Sequence, residues 1–426
     1  MSGCIKIEHI TGRQVLDSRG NPTVEATVIV KNDSTNEIYK GSAMVPSGAS
    51  TGIFEAVELR DGGEHYFGKG VLKAVRNISE IIDPSLKGMD ATNQAEVDRV
   101  LREIDGTANK SSLGANTILA VSMAVSRAAA NAKHIPLYQY LGGVQGTVIP
   151  IPMMNILNGG AHSMNTLDVQ EFMIVPVGAT CIKEGIRWCV EIYHTLKAIL
   201  KEQGLSTGVG DEGGFAPDLE SEIEAIDLIV EAITRAGYKP GKDVMISLDI
   251  AASEWKTEEK GKYHLPKQNR TYTRDEMMEE WAEISEKYPV FSMEDAMDEE
   301  DFEGWKCLTK RVGERIVLVG DDLFVTNKER LKTGIEQGIA NAILIKPNQI
   351  GTVTETIEAV KLAKEHGYKT IMSHRSGETE DTYIADLAVA LNTGFIKTGA
   401  PCRAERTAKY NRLMQIEDEL QESLYI

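Results

Sequence analysis

Cysteine, long apolar runs and positive charge are all in short supply in this chain, and each shortage removes a class of protein. Its 426 residues include only five cysteines: Cys4, Cys181, Cys189, Cys307 and Cys402. None forms a CxxC pair and the count is odd, which argues against a disulfide framework or a zinc knuckle. Free thiols in a reducing compartment are expected instead. No run of about 18 apolar residues is present, so no membrane-spanning helix is expected. The opening residues Met1-Ser2-Gly3-Cys4-Ile5-Lys6 contain no apolar signal region, and a cytoplasmic location follows as an expectation. Lys and Arg number 46 against 64 Asp and Glu, a formal net charge of −18. A chain so acidic repels phosphate backbones, which argues against nucleic acid as a main partner. A small anionic substrate is still compatible if metal ions or a few clustered Lys and Arg residues gather positive charge locally.

The chain is long enough for two domains. Residues 5–10, 23–31 and 39–44 are rich in Ile, Val and Thr and predict strands, with Asn32-Asp33-Ser34 as a turn. Helical patterns follow over 71–82, 96–104 and 115–133, the last Ala-rich and free of Pro and Gly. Strands followed by helices predict a small N-terminal α+β domain over residues 1–140. The remainder, 141–426, behaves differently. Short apolar runs recur, each ending on a polar residue: 244–248 before Asp249, 290–293 before Glu294, 316–320 before Asp321, 342–345 before Lys346, 370–373 before His374 and 394–396 before Lys397. From Asp321 onward the spacing is about 25 residues, the length of a strand, a helix and two short loops. Helical patterns fill the gaps, as at 354–366 and 381–391. Apolar strands alternating with helices predict a parallel α/β sheet, and so many units in a row favour a (β/α)8 barrel of the TIM type. Barrel enzymes place their chemistry at the C-terminal strand ends, where these polar residues fall.

Asp249, Glu294 and Asp321 put three carboxylates on three neighbouring strands. Converging hard oxygen ligands without His or Cys suit Mg²⁺. Ion pairs to Lys346 and Lys397 are the competing reading. Lys346, beside a dication and partly out of water, is expected to have a lowered proton affinity and to act as a base. Lys397 serves as a base or a fixed cation. Arg375 and Ser376, at a strand end facing a metal, form a candidate phosphate clamp. Gly210-Asp211-Glu212-Gly213-Gly214 places acids between glycines, and a carboxyl shielded there can stay protonated and act as an acid. Ser47-Gly48-Ala49-Ser50-Thr51-Gly52 is a small, flexible loop able to close over a site and is not a P-loop. Asn158-Gly159-Gly160-Ala161-His162 carries a histidine after two glycines, and Gln170-Glu171 opens the apolar run 172–175. One base, one shielded acid, a magnesium site and an anion clamp suit removal of a proton beside a carboxylate, followed by loss of a β-leaving group.

These segments together resemble the enolase family. The resemblance runs from Leu16-Asp17-Ser18-Arg19-Gly20-Asn21-Pro22 to Lys409-Tyr410-Asn411, nearly the whole chain, and includes Gly320-Asp321-Asp322-Leu323, Asn348-Gln349-Ile350-Gly351-Thr352, Ser373-His374-Arg375-Ser376-Gly377 and Lys397-Thr398-Gly399-Ala400-Pro401. It implies an atypical barrel with an antiparallel second strand, and reversible dehydration of 2-phosphoglycerate to phosphoenolpyruvate. It further implies Lys346 as the base and Glu212 as the acid, with His162, Gln170 and Glu171 beside the substrate. Asp249, Glu294 and Asp321 hold a first Mg²⁺, and Ser50 holds a second that arrives with substrate. Arg375 and Ser376 take the phosphate and Lys397 the carboxylate. Homodimers, or octamers built from dimers, are the expected assemblies. Three positions depart from the family's usual pattern: Ser163 after the loop histidine, Ala296 where Pro usually follows Glu-Asp, and Ala404 where Arg-Ser-Glu-Arg is usual. Two other functions compete with this one. A lyase for acid sugars of the same superfamily needs a clamp unsuited to phosphate, against Arg375-Ser376. A non-catalytic role, at a cell surface or in an assembly, does not require the intact set of acid, base and ligands.

Overall fold

A computed structural model describes residues 4–49, 52–420 and, for the backbone, 424–425. The N-terminal portion is an antiparallel meander of β1 (Ile5–Leu16), β2 (Pro22–Asn32) and β3 (Ile38–Met44). The β1–β2 turn is held by Asp17, whose Oδ1 accepts from the backbone N–H of Arg19 and of Asn21, with Gly20 at φ +75°. Val24, Ala26, Val28 and Val30 alternate along β2 and are fully buried on one face. That face packs on α2 (Ala115–Lys133), which follows α1 (Gln94–Asp105). The composition of α2 explains how close it comes: a Cβ added at Gly41 of β3 would lie 2.2 Å from the backbone nitrogen of Ala128. Alanine on the helix and glycine on the strand let two backbones meet.

The helix expected over 71–82 is interrupted. A short α-turn over Leu72–Asn77 widens into a π-turn over Ile78–Ile82 and then resumes over Asp83–Leu86. Pro84 supplies no N–H to continue the ladder, and Asp83 turns outward to accept from the Ile10 N–H at 2.7 Å.

The rest of the chain closes an eight-stranded barrel from β4 (Ile151–Asn158), β5 (Glu171–Val175), β6 (Met245–Asp249), β7 (Val290–Glu294), β8 (Val317–Gly320), β9 (Ala342–Ile345), β10 (Lys369–Ser373) and β11 (Gly394–Lys397). All six strands expected from residue 244 onward are present. β5 runs antiparallel to both β4 and β6, and every other pairing is parallel. β4 was not expected, because Pro150 and Pro152 argue against a strand. Alternate residues fill the barrel interior, among them Ile151, Met153, Met173, Val319, Leu344, Ile371 and Phe395. The opposite faces pack against the outer helices. α3 (Val353–Glu365) and α4 (Tyr383–Ala390) lie within a residue or two of the expected spans, and α5 (Ala404–Glu419) follows the barrel. Among the described residues, no helix is long and apolar enough to cross a membrane.

The meander and its helices are pinned to the barrel by polar contacts. Buried Asp98 accepts from the backbone N–H and hydroxyl of Thr354, at the start of α3. Arg127 grips Asp381 through two bonds of 2.7 and 2.6 Å. Ser47 and Gly377 exchange backbone hydrogen bonds of 2.8 and 2.9 Å. This last pair brings the loop after β3 to the barrel rim.

Candidate active site

The C-terminal rim of the barrel carries the chemistry. Asp249 and Glu294 are the last residues of β6 and β7 and lie opposite each other in register. Asp321 follows β8, Lys346 follows β9, His374 follows β10, and Lys397 ends β11 beside Ser373. Glu171 reaches the same rim by the opposite route. It is the first residue of antiparallel β5, so it pairs with Asp249 on one side and Asn158 on the other. A parallel strand could not have put its first residue there.

A small cavity opens above this rim, lined by His162, Gln170, Glu171, Glu212, Asp249, Lys346, His374, Arg375, Ser376 and Lys397. Ten of the residues singled out in the sequence thus face one space. At its floor, the buried Lys397 ammonium donates to Asp249 Oδ2 and to both Glu294 oxygens at 2.9 Å, and stands 3.3 Å from Glu171 Oε2. Gln170 Nε2 donates to Asp249 Oδ2 at 3.2 Å. Lys346, with 13 % of its side chain exposed, donates to Asp321 Oδ2, and Gln349 donates to Asp321 Oδ1 at 2.8 Å. At the far wall, Glu212 Oε2 accepts from Asn155 Nδ2 at 3.0 Å and lies 3.5 Å from His374 Nε2. His162 Nδ1 is 3.6 Å from Glu171 and 3.9 Å from Glu212. Arg375 is clasped by Glu55 at 2.9 and 3.1 Å, and Ser376 Oγ accepts from the Ala49 N–H at 2.7 Å. Ser50 lies outside the described residues.

Several buried polar atoms on these walls have no aligned hydrogen-bond partner: His162 Nδ1, Gln170 Oε1, Asn155 Oδ1 and His374 Nε2. Buried groups of this kind are rarely left unsatisfied unless a ligand completes them. Residues 7–141 match the family described as enolase, N-terminal domain, and residues 146–425 match enolase, C-terminal TIM barrel domain. The chain belongs to the enolase family. Membership makes it a lyase of the enolase superfamily.

The enolase donor set was tested against a divalent cation. Asp249, Glu294 and Asp321 are buried, hard and adjacent, as a magnesium site requires. Burial and the nearby Asp249 charge push the Glu294 carboxyl well above its usual range, and burial and Asp322 do the same to Asp295. The rim therefore holds more negative charge than its lysines neutralise, which fits a dication. The side chains have not converged on one point, however. Asp249 and Glu294 are turned onto the Lys397 ammonium and Asp321 onto Lys346, so the ion-pair reading and the metal reading describe the same residues. The compact groupings are His162–Glu171–Glu212 and Asp295–Asp321–Asp322, each with ligand atoms within 4.8 Å of one another.

The protein's own charges act on both Lys346 and Glu212. Lys346 was expected to bind its proton weakly beside a dication. Burial does act in that direction, but the directly paired Asp321 outweighs it and raises the Lys346 pKa above that of an ordinary lysine. Glu212 was expected to be the shielded, protonated acid. Burial favours that, yet the permanent cations nearby, Arg406 and Lys397 among them, work against it and hold Glu212 below the usual carboxylate range. Its neighbour Glu171 goes the other way: burial and the Glu212 charge push it well above. The protonated carboxyl thus belongs to the Glu171–Glu212 pair, with the proton on the Glu171 side, because two close carboxylates cannot both ionise.

Three positions depart from the enolase pattern. Without a proline at 296, the backbone after Glu294 is held by hydrogen bonds: Ile250 N–H to the Glu294 carbonyl, Asp295 N–H to Val319 at 3.0 Å and the Trp281 indole to the Ala296 carbonyl at 3.2 Å. Asp295, at φ +43°, accepts from the N–H groups of Asp321 and Asp322. Ser163 Oγ accepts from Asn165, and its carbonyl accepts from Lys267 at 2.9 Å. Ala404 opens α5, which has no side-chain cap. Sequence patterns did not single out Glu55, Asn155, Gln349 or Arg406, all of which touch site residues. Glu55 follows the Ser47–Gly52 loop by three residues, the one signal that pointed toward it.

Proposed function

We propose that this enolase-family lyase interconverts 2-phosphoglycerate and phosphoenolpyruvate with Mg²⁺. The observation that carries the reading is a small cavity lined by Lys346 and Lys397, by the adjacent Glu171 and Glu212 carboxyls, and by Arg375 with Ser376 as an anion clamp. Asp249, Glu294 and Asp321 would hold the first ion, and Ser50 with the substrate phosphate the second. Magnesium, when bound, supplies positive charge beside the substrate carboxylate and so acidifies the C2 proton. In the proposed reaction Lys346 takes that proton. The Glu171–Glu212 pair gives its proton to the C3 hydroxyl as the C3–O bond breaks, the C2=C3 double bond forms and water leaves. Lys346 is a base only when neutral, so the Asp321 carboxylate must be engaged elsewhere than on its ammonium. Arg375 and Ser376 hold the phosphate, Lys397 the carboxylate, and Gln170 and His162 line the pocket beside the reacting carbons. The same reading carries a glycolytic setting in the cytoplasm, two domains over 1–140 and 141–426, and assembly as a homodimer or an octamer of dimers.

The test is the appearance of phosphoenolpyruvate absorbance from 2-phosphoglycerate as Mg²⁺ is titrated into the purified protein. Saturable turnover is expected. No turnover by the folded protein, or a preference for sugar acids, would refute the assignment.

A further inference from the structure

Arg406 sits in the first turn of α5 with none of its side chain exposed. Its guanidinium is spent on the loops behind the cavity wall. Nη1 donates to His374 Nδ1 and to the Arg375 carbonyl, both at 2.6 Å. Nη2 donates to the Ser376 carbonyl at 2.7 Å and the Asp211 carbonyl at 3.1 Å. A guanidinium has donors only and keeps its protons at any working pH. A ring nitrogen 2.6 Å from it must offer a lone pair, so Nδ1 of His374 carries no hydrogen. The neutral ring then has its hydrogen on Nε2, which is the atom facing Glu212 Oε2 at 3.5 Å and otherwise unpartnered. The charged groups around the ring agree. Burial lowers its proton affinity and Glu212 works in the opposite sense, while Arg406, Lys397 and Lys346 disfavour an imidazolium.

We propose that Arg406 is a positioning residue that locks His374 as the neutral Nε2–H tautomer, so that the ring presents a fixed N–H toward Glu212 and cannot act as a proton acceptor at the cavity wall. Nε2 already bears a hydrogen and the Nδ1 lone pair is occupied, so the imidazole has no site for a further proton. The proposal rests on the dehydration reading for its consequence, but the tautomer itself is a property of the free protein.

The test reads the ring nitrogens directly. In protein labelled with ¹⁵N-histidine, without substrate, the His374 signals are assigned by their loss in His374→Gln. We expect Nε2 protonated and Nδ1 bare across about pH 6 to 8, the window in which an ordinary histidine titrates. Arg406→Lys keeps the charge but, with three donors on one atom, cannot span Nδ1 and three carbonyls together. In it we expect mixed tautomers and a kcat on 2-phosphoglycerate lower by about 10- to 100-fold, the usual cost of removing an outer partner that orients a histidine. KM should change little, and a new acid limb should appear in the pH–rate profile. A wild-type ring protonated on Nδ1, or an imidazolium at neutral pH, would overturn the proposal, and so would an Arg406→Lys protein with an unchanged tautomer and unchanged pH profile. If Arg406→Lys does not fold, the wild-type spectrum decides alone. Absence of wild-type turnover would instead count against the dehydration reading, so the two failures are distinct.

Discussion

Replacing Lys397 by Met is the sharpest probe of how the barrel rim is balanced. The side chain is 2 % exposed and its ammonium serves Asp249 and Glu294 at 2.9 Å and Glu171 at 3.3 Å. Methionine keeps the length and removes the charge. Removing one partner of a buried ion pair costs about 3–5 kcal/mol, because a charge is left without compensation. Here the ammonium serves three buried carboxyl groups at once, so the upper part of that range is expected at neutral pH. Unfolding entropy of about 2.1 cal/mol/K per residue, taken over 426 residues, comes to roughly 0.9 kcal/mol/K. The melting temperature should therefore fall by roughly 3–6 °C, measured by scanning calorimetry at pH 7.5 without divalent ions. The pH dependence has a definite sign. Carboxyls whose folded pKa lies above the unfolded value, as burial and Asp249 make that of Glu294, bind more protons in the native state. Their stability contribution is complete below the unfolded value of about 4 and is lost as pH rises through the folded value. The deficit of the variant should thus shrink on acidification. Added Mg²⁺ should raise its melting temperature more than that of the wild type, since the ion binds only the native rim. A variant that melts with the wild type at pH 7.5 and gains nothing from Mg²⁺ would refute the idea that uncompensated carboxylate charge defines the site.

Lys346→Ala should abolish exchange of the C2 proton of 2-phosphoglycerate with solvent, while Mg²⁺ binding, followed calorimetrically, persists because Asp321 is released from its ion pair. Glu55→Gln should raise KM for 2-phosphoglycerate by about 10-fold or more with a smaller effect on kcat, since a charged hydrogen bond worth about 1.5–3 kcal/mol no longer orients the Arg375 fork. Gly41→Ala should destabilise by several kcal/mol in chemical denaturation, because the added Cβ meets helix backbone at 2.2 and 2.5 Å, where no side chain can move aside. Phe67→Ser, at a side chain 98 % exposed, should stay within about 0.5 kcal/mol of wild type and serves as the control.

Six barrel strands were legible because a strand buried on both faces must read as a continuous apolar run, and the next residue must return to polar chemistry at the rim. That is why Asp249, Glu294, Asp321, Lys346, His374 and Lys397 could be picked out by position. β4 was hidden by its prolines. The approach of Glu171 depended on strand direction, which five residues do not encode without their neighbours. Glu55, Asn155, Gln349 and Arg406 enter the site from segments far apart in the chain, and no local pattern marks them.

By itself the sequence determined the element types, the alternation that closes the barrel and the residues offered to its rim, because these follow from periodicity and from which groups tolerate burial. Tertiary structure alone decided how charge and protons are distributed among them. The surroundings raise the proton affinity of Lys346 and of Glu171 and lower that of Glu212. The reason is that Coulomb interactions depend on distances of a few ångströms across a low-dielectric cavity, and those distances are set by which strands lie side by side rather than by their order in the chain.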